Sequence, residues 1–164
     1  MKIIKRKELT IGLNNQATRE AWLEKTLLKI PKGGKILDAG AGELQYKKFC
    51  KHLTYVSQDF GKYNGVGDGT GLQTKTWNQE KLDIVSDITS IPADKDSFDA
   101  IMCIEVFEHL KEPVLAIKEF ARILKPGGFL IVTAPFCSLT HFAPYHFYTG
   151  FHYCPIHLKS EIQL

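Results

Sequence analysis

The stretch Lys-Ile-Leu-Asp-Ala-Gly-Ala-Gly-Glu, residues 35–43, decides the fold class of this chain. Its first four residues predict a short strand that ends on Asp38, and glycines follow at positions 40 and 42. Glycine lets the backbone turn sharply and brings a ligand close to the main chain. A helix from Glu43 to Cys50 is predicted next, with its positive end toward that ligand. A strand, a glycine turn and a helix in this order predict an α/β unit.

Four more strands are predicted, and three of them run into a carboxylate as the first one does. They are Thr54–Gln58 before Asp59, Leu82–Ser86 before Asp87, Phe98–Ile104 before Glu105, and Phe129–Ala134. The fourth strand of the chain, 98–104, is almost continuously apolar, as expected for a parallel strand buried on both faces.

Two amphipathic helices are predicted around these strands. The first spans Asn14–Ile30 and turns Trp22, Leu23 and Leu27 toward the core, and the second spans Pro113–Leu124. Strands that alternate with helical segments predict a doubly wound, mostly parallel α/β sheet with helices on both faces.

Composition sets the broad class of the protein. The chain has 164 residues, 44% hydrophobic and 24% charged, which predicts one globular domain. Its formal charge of +3 is mild and spread along the chain, so nucleic acid is disfavoured as a partner. Four dispersed cysteines form no Cys-x-x-Cys pair, and no apolar run reaches the roughly 20 residues that span a bilayer. We therefore expect a cytoplasmic protein that does not enter a membrane.

Asp59 falls 19 residues after Gly40, at the end of the second strand. A carboxylate at this place can accept hydrogen bonds from both hydroxyls of an adenosine ribose. That spacing fits a dinucleotide as well, although Gln45 stands where a nicotinamide fold has its third glycine. A nicotinamide oxidoreductase is disfavoured for this reason, and an aspartate that only caps a turn is the alternative.

From Lys35 to Phe151 the chain resembles the class I, Rossmann-like, S-adenosylmethionine-dependent methyltransferase superfamily, in particular its small-molecule enzymes. The resemblance is carried by four motifs in the family's order. They are LDAGAGE at 37–43, Gln58-Asp59, the run 86–92, and FDAIMCIEVFEHL at 98–110 followed by LKPGGFLIVTAP at 124–135.

The resemblance implies a site for S-adenosylmethionine at the carboxyl ends of the strands. It implies that Asp38, Ala39 and the Gly40–Gly42 backbone lie beside the methionine part and that Asp59 binds the ribose. Asp87 and Ile88 would meet the adenine, and Glu105 would lie at the mouth of the site. The cofactor carries a sulfonium and an ammonium but no phosphate, so acidic strand ends suit it. For Asp87, a cap on the turn at Ile88 and Thr89 is the alternative.

A candidate metal site is found at Glu105-Val106-Phe107-Glu108-His109. Some methyltransferases that resemble this stretch hold magnesium with a Glu-x-x-Glu-His cluster, and positions 105, 108 and 109 share a face if they are helical. The same residues occur in relatives that bind no metal. We therefore predict no metal site and interpret His109 as a packed, hydrogen-bonded group.

The aromatic stretch 140–151 resembles the substrate side of the pocket in small-molecule and sugar methyltransferases. Its histidines and tyrosines can accept a proton or stack on a flat substrate, whereas a simple aromatic cover over the sheet is an equal alternative. No catalytic residue is identified. The chain is thus divided into an N-terminal helical segment (1–34), a cofactor-binding core (35–135), and a substrate-side loop and tail (136–164).

The family normally continues with an antiparallel hairpin of two strands, which residues 152–164 are too short to supply. The sequence therefore predicts a C-terminally truncated fold that lacks part or all of the hairpin. The edge of the strand 129–134 would then be covered by the tail or by a second copy in a homodimer. The predicted function is methyl transfer from S-adenosylmethionine to a small-molecule or saccharide acceptor. The alternative is a non-catalytic cofactor-binding or scaffold protein.

Overall fold

The computed structural model describes residues 14–150, and the predictions for the tail and the hairpin lie outside this range. Five strands, two α-helices and two short 3₁₀ helices follow one another along it. In chain order they are α1 (Asn15–Leu27), β1 (Lys35–Ala39), a 3₁₀ turn (Lys47–Phe49), β2 (Thr54–Asp59), β3 (Ile84–Val85), β4 (Phe98–Ile104), a 3₁₀ turn (Phe107–His109), α2 (Pro113–Ile123) and β5 (Leu124–Thr133).

The strands form one sheet in the order β3-β2-β1-β4-β5, and every neighbouring pair is parallel. The chain runs outward from β1 to β3 on one side and then crosses over to β4 and β5 on the other. In open α/β sheets such a reversal of strand order leaves a crevice at the carboxyl ends of the strands, where ligands bind. The predicted doubly wound fold is confirmed, and the crevice lies between the ends of β1, β2 and β4.

One helix covers each face of the sheet. From α1, Leu23 and Leu27 are fully buried against a cluster that includes Met102 of β4. From α2, Phe120 is fully buried in the opposite cluster, which includes Ile101 of the same strand. Each such apolar side chain stabilises the fold by roughly 1.5–3 kcal/mol. Adjacent residues of β4 thus pack into the hydrophobic clusters on opposite faces of the sheet, which explains why the β4 sequence is apolar without alternation.

The first helix is shorter than predicted. It ends at Leu27, and Ile30 reaches the core through turns in which its N–H donates to the Leu27 carbonyl. Trp22, predicted to face the core, is 46% exposed. The Asn14 side chain makes no capping hydrogen bond.

The predicted helix from Glu43 to Cys50 is wrong. Turns and the short 3₁₀ helix Lys47–Phe49 take its place, and Leu44 adopts a left-handed φ of 63° that an α-helix cannot contain. Tyr46 and Cys50 are nevertheless buried in the α1 core. Packing therefore overrides local helical preference here.

The outer strands also differ from the predictions. β3 covers Ile84–Val85 alone, because the Asp83 side chain accepts the Ser57 N–H at 2.8 Å in place of a strand carbonyl. β5 begins at Leu124, directly after α2, and its pairing with β4 is irregular between Phe98 and Ala100. Neither helix in the described range has the length and apolar character that crossing a membrane requires.

Candidate active site

A cavity of about 680 Å³ opens at the carboxyl ends of β1, β2 and β4. Its size is in the range of small-molecule sites. Six of the predicted site residues line it: Gly40, Gly42, Asp59, Asp87, Ile88 and Glu105. Asp38 and Ala39 belong to the buried strand behind it and are not among its lining residues.

The glycine turn forms the floor of the cavity. Gly40 has a φ of 78°, and a Cβ at this position would lie 2.5 Å from the side chain of Val106. Gly42 has a φ of 51°, and its Cβ would lie 2.7 Å from the ring of Trp77. Both glycines are thus required by the backbone conformation and by a close neighbour. The Gly40 N–H also donates to the Gln58 carbonyl at 2.8 Å, which ties the turn to β2.

Asp59 is oriented by three donors from its own chain. Its Oδ2 accepts the Gly42 N–H at 3.0 Å, and its Oδ1 accepts the Gly61 N–H at 3.2 Å and the Gln79 amide at 2.8 Å. A carboxylate has about four acceptor sites, so capacity remains for a further hydrogen bond. The side chain is fixed at the cavity wall, and its role toward a ribose stays a prediction.

Asp38 lies behind the glycine turn. It is 1% exposed, and its Oδ2 accepts a hydrogen bond from the Tyr55 hydroxyl at 2.6 Å. Burial raises the pKa of this carboxyl to about 7, against the lowering effect of the Tyr55 hydroxyl. In this arrangement Asp38 is bound to Tyr55 and is not part of the cavity lining.

Asp87 serves as a cap and lies in the cavity wall as well. Its Oδ1 accepts the Thr89 N–H at 2.8 Å and the Thr89 hydroxyl at 2.7 Å, and the backbone bond is the main reason that the pKa of Asp87 is lowered. Ile88 is 7% exposed and adds an apolar surface beside it. The capping alternative is therefore present in the structure, and it leaves Asp87 accessible to a ligand.

Glu105 follows β4 in a left-handed conformation, with a φ of 55°. Its N–H donates to the Thr133 carbonyl at 3.0 Å, and its Oε2 lies 3.3 Å from Nη1 of Arg19. Sequence reasoning missed Arg19, although a signal existed. It precedes Leu23 and Leu27 at intervals of four residues, so the helical face that packs on the sheet also brings Arg19 to the cavity.

Glu108 and His109 also line the cavity, in the segment that follows β4. The sequence suggested that positions 105 and 108 share a helix face, but they do not. Only Phe107–His109 is helical, and Glu105 is turned to Arg19. Glu108 is 1% exposed, and burial raises its pKa to about 7. Burial lowers the pKa of His109 to about 4, although the bond between its Nδ1 and the Tyr145 carbonyl opposes this shift.

The aromatic stretch forms a wall of the cavity. His141, Phe142 and Tyr145 line it, and Phe142 packs against Tyr63 and Trp77 with ring centroids 4.7 and 5.3 Å apart. Leu72 holds this wall, since its N–H donates to the Thr140 carbonyl and its carbonyl accepts the Phe142 N–H. The segment between β2 and β3, which carries Tyr63 and Trp77, and the segment after β5 therefore build one continuous aromatic surface. Sequence reasoning singled out the second of these segments but not Tyr63 or Trp77.

Comparison with known proteins adds three findings. A family model described as a methyltransferase domain matches residues 37–132. A ubiquinone biosynthesis O-methyltransferase of Coxiella burnetii is 34% identical over 104 residues, covering 59% of this chain and 42% of that protein. The chain thus spans less than half the length of this curated relative.

Solved structures share the fold. The YcgJ protein of Bacillus subtilis superposes with a TM-score of 0.58 at 20% identity, covering 74% of this chain and 52% of that one. Phosphoethanolamine N-methyltransferase 2 of Haemonchus contortus, solved in complex with S-adenosylmethionine, superposes with a TM-score of 0.54 at 18% identity, covering 71% and 28%.

Proposed function

The chain belongs to the methyltransferase domain family, and on that premise we propose that it transfers a methyl group to a small acceptor bound at the aromatic wall of its cavity. Its cofactor is S-adenosylmethionine. The observation that carries the proposal is the position of Asp59. Its carboxylate is fixed beside the glycine turn at the point where strand order reverses, with acceptor capacity to spare.

The charges along the cavity fit this cofactor. The cofactor supplies a methyl group on a sulfonium, which makes the methyl carbon open to a nucleophile, and it also carries an ammonium and a carboxylate. Asp59 and Glu105 offer negative charge to the cationic groups, and Arg19, which also contacts Glu105, offers positive charge to the carboxylate. The site shows no Gly-Lys-Ser/Thr phosphate loop, in keeping with a ligand that has no phosphate.

The protein's contribution to the reaction is mainly positioning. In-line transfer of a methyl group requires the acceptor atom to be held close to the methyl carbon, and no enzyme nucleophile is needed. Glu108 lies in the cavity wall with its pKa raised to about 7, so its carboxylate form can take a proton from an acceptor at neutral pH. His141 lines the same wall and offers a second basic group.

For the acceptor we propose a hydroxyl group on a small flat molecule or a saccharide. The support is the aromatic wall at Phe142 and Tyr145, on which a ring can stack, together with the O-methyltransferase name of the Coxiella burnetii relative. A cytoplasmic location and a homodimer through the edge of β5 stay predictions from the sequence.

The experiment that tests the function has two stages. Calorimetric titration with S-adenosylmethionine, S-adenosylhomocysteine and NAD measures cofactor choice, and we expect binding of the first two only. Methyl transfer from labelled cofactor to panels of phenols, catechols and saccharides then measures turnover. Cofactor binding without turnover on any panel would favour the non-catalytic alternative. A folded protein that binds NAD but neither methionine derivative would contradict the proposal.

A further inference from the structure

Three histidines gather beside Phe142 of the aromatic wall. One ring nitrogen from each of His109, His141 and His146, here called the histidine cluster, lies within 4.8 Å of the others. The buried carboxylate of Glu108 joins them, with its Oε1 3.8 Å from Nε2 of His109 and 3.9 Å from Nε2 of His141. We propose that a divalent transition-metal ion of the Zn²⁺ type binds here, between Glu108 and the histidine cluster.

Hydrogen bonds orient two of the imidazoles for such an ion. Nδ1 of His109 lies 2.6 Å from the Tyr145 carbonyl, and Nδ1 of His141 lies 2.8 Å from the Leu139 carbonyl. A carbonyl only accepts hydrogen bonds, so each Nδ1 carries the hydrogen, and in the neutral imidazole Nε2 is then the nitrogen with a lone pair. The two Nε2 atoms are the ones that approach Glu108. Metal-binding histidines are held in this manner, with the second ring nitrogen donating to a carbonyl.

Unsatisfied polar atoms provide an independent indication of a missing ligand. Oε2 of Glu108 and both ring nitrogens of His146 are buried and have no hydrogen-bond partner in the described range 14–150. Buried polar atoms are nearly always paired, and each exception calls for an explanation. A cation coordinated by Oε2 of Glu108 and by one ring nitrogen of His146 accounts for two of these three atoms and offsets the buried carboxylate charge.

Binding of the ion requires the ligand atoms of the histidine cluster to move slightly closer together. In a tetrahedral zinc site with bonds of about 2.0–2.1 Å, neighbouring ligand atoms lie about 3.4 Å apart. The cluster atoms are within 4.8 Å of one another, so the contraction required is about 1.4 Å at most. His141 and His146 are carried by a segment without helix or strand, whereas His109 lies on the 3₁₀ turn that follows β4. We expect the segment to close on His109.

This site differs from the Glu-x-x-Glu-His arrangement considered from the sequence, where no metal was predicted. Glu105 is paired with Arg19 and takes no part in the cluster. Three imidazoles and one carboxylate favour Zn²⁺, Co²⁺ or Ni²⁺, whereas Mg²⁺ prefers oxygen ligands. His141 and His146 are the residues that change the preference.

The location of the ion suggests its effect. Glu108, His109 and His141 all line the cavity, so an ion held between them has a side that faces a bound ligand. An oxygen atom of the acceptor can complete its coordination, and with the ion bound Glu108 and His141 act as its ligands and not as proton acceptors. This last step rests on the proposed function, while the metal site itself does not.

The test uses the full chain, with any purification tag removed and metal stripped by a chelator. Calorimetric titration with Zn²⁺ and absorption titration with Co²⁺ measure affinity and coordination without any methyl acceptor. We expect one equivalent of each ion to bind, with the Co²⁺ spectrum of a four-coordinate site. His141→Ala and His146→Gln should each weaken binding by about tenfold or more. Circular dichroism and S-adenosylhomocysteine binding verify that each variant is folded.

Two control variants separate the site from adventitious binding. His52→Ala removes a histidine that contacts the Leu27 carbonyl away from the cavity, and Cys137→Ser removes an exposed thiol. Both should bind Zn²⁺ as the unaltered chain does. The proposal is overturned if the unaltered chain binds no Zn²⁺ or Co²⁺ stoichiometrically. It is also overturned if His141→Ala and His146→Gln bind as tightly as the two controls. Metal binding with no effect on acceptor affinity would remove only the step that rests on the proposed function.

Discussion

Nη1 of Arg19 lies 3.3 Å from Oε2 of Glu105, which joins the helix α1 to the segment after β4 at the wall of the cavity. The two side chains are 23% and 26% exposed, so water reaches the pair. A partly exposed ion pair of this kind contributes about 0–1 kcal/mol to stability. We therefore expect the pair to matter more for placing a cation and an anion beside a bound cofactor than for holding the fold.

Replacing Arg19 tests whether the ion pair contributes to cofactor binding or to stability. Arg19→Ala should leave the thermal unfolding midpoint nearly unchanged and weaken S-adenosylmethionine binding by about tenfold, because the cofactor carboxylate loses a charged hydrogen-bond donor. Lys25→Ala on the same helix removes an equal charge away from the cavity and should have no effect on binding. Calorimetry on both variants measures the difference. Equal affinities would show that Arg19 does not contact the cofactor.

Asp59→Asn should weaken cofactor binding by roughly 1.5–3 kcal/mol, the range for a hydrogen bond to a charged group. The amide keeps the shape of the side chain but loses the negative charge and presents an N–H₂ toward donors such as the Gly42 N–H. Asp94→Asn, at an exposed position away from the cavity, is the matched control. A folded Asp59→Asn variant with an unchanged dissociation constant would remove Asp59 from the site.

Gly40→Ala should destabilise the protein through two separable effects. The left-handed backbone costs an alanine roughly 1–2 kcal/mol, and the new Cβ would lie 2.5 Å from Val106. Gly69→Ala is the control for the first effect alone, because Gly69 has a φ of 80° with no atom within 4 Å of the added Cβ. Denaturant unfolding should show a loss larger by about 1–3 kcal/mol for Gly40→Ala. Val106→Ala in the Gly40→Ala background should recover part of it, and equal losses at both glycines would contradict the steric account.

Asp38 should make the protein less stable as pH rises. Burial raises its pKa in the folded state to about 7, above the usual aspartate value of 3.8. Between these values the folded state holds a proton that the unfolded state has lost, so the free energy of unfolding falls by up to about 1.4 kcal/mol per pH unit from this group. Its contribution is fully present below the unfolded pKa and is lost as pH rises through 7.

Asp38→Asn isolates that contribution, because the amide oxygen can still accept the Tyr55 hydroxyl while the ionisation is gone. Denaturant unfolding at intervals from pH 4 to pH 8 should show the variant gaining stability relative to the unaltered chain as pH increases. Parallel curves for the two proteins would mean that Asp38 ionises normally.

The strand predictions succeeded where one residue pattern determined the outcome. The continuous apolar run of β4 is buried on both faces, and its predicted bounds, Phe98–Ile104, are those observed. The prediction of a helix after the glycine turn was wrong, because the local structure depends on Leu44 in a left-handed conformation and on Tyr46 packing under α1. Local propensity carries no information about such tertiary contacts.

Part of the candidate site could also be predicted from the sequence, and part could not. The acidic strand ends follow from strand periodicity, and the structure brings Asp59, Asp87 and Glu105 to one cavity. The sequence does not show that Asp38 is left out of the cavity lining or that Arg19 contacts Glu105. It also does not show that a cis Ala143–Pro144 bond separates His141 from His146 within the cluster. These relations join distant segments and arise only when the chain is folded.

The outer edge of β5 should be covered in solution. β5 pairs with β4 alone in the described residues, and Phe129 is 41% exposed. An unpaired strand edge is a template for association, so we expect either a homodimer through β5 or the tail 152–164 laid along it. Hydrogen exchange measures this through the amides of 129–133 that do not donate to β4. These amides should exchange slowly, whereas those of the short edge strand β3 serve as an unprotected comparison.

Light scattering and a variant lacking residues 152–164 separate the two coverings. Slow exchange that depends on protein concentration, together with a dimer mass, indicates a second copy, because only association responds to concentration. Slow exchange in a monomer that is lost in the shortened variant indicates the tail. If the protein is monomeric and these amides exchange as fast as those of a free loop, the edge of β5 is uncovered and the prediction is wrong. The amides of 129–133 that donate to β4, and the Glu105 N–H that donates to the Thr133 carbonyl, test the sheet itself. If these amides also exchange as fast as those of a free loop, β5 is not held beside β4 and the cavity wall next to Glu105 lacks its support.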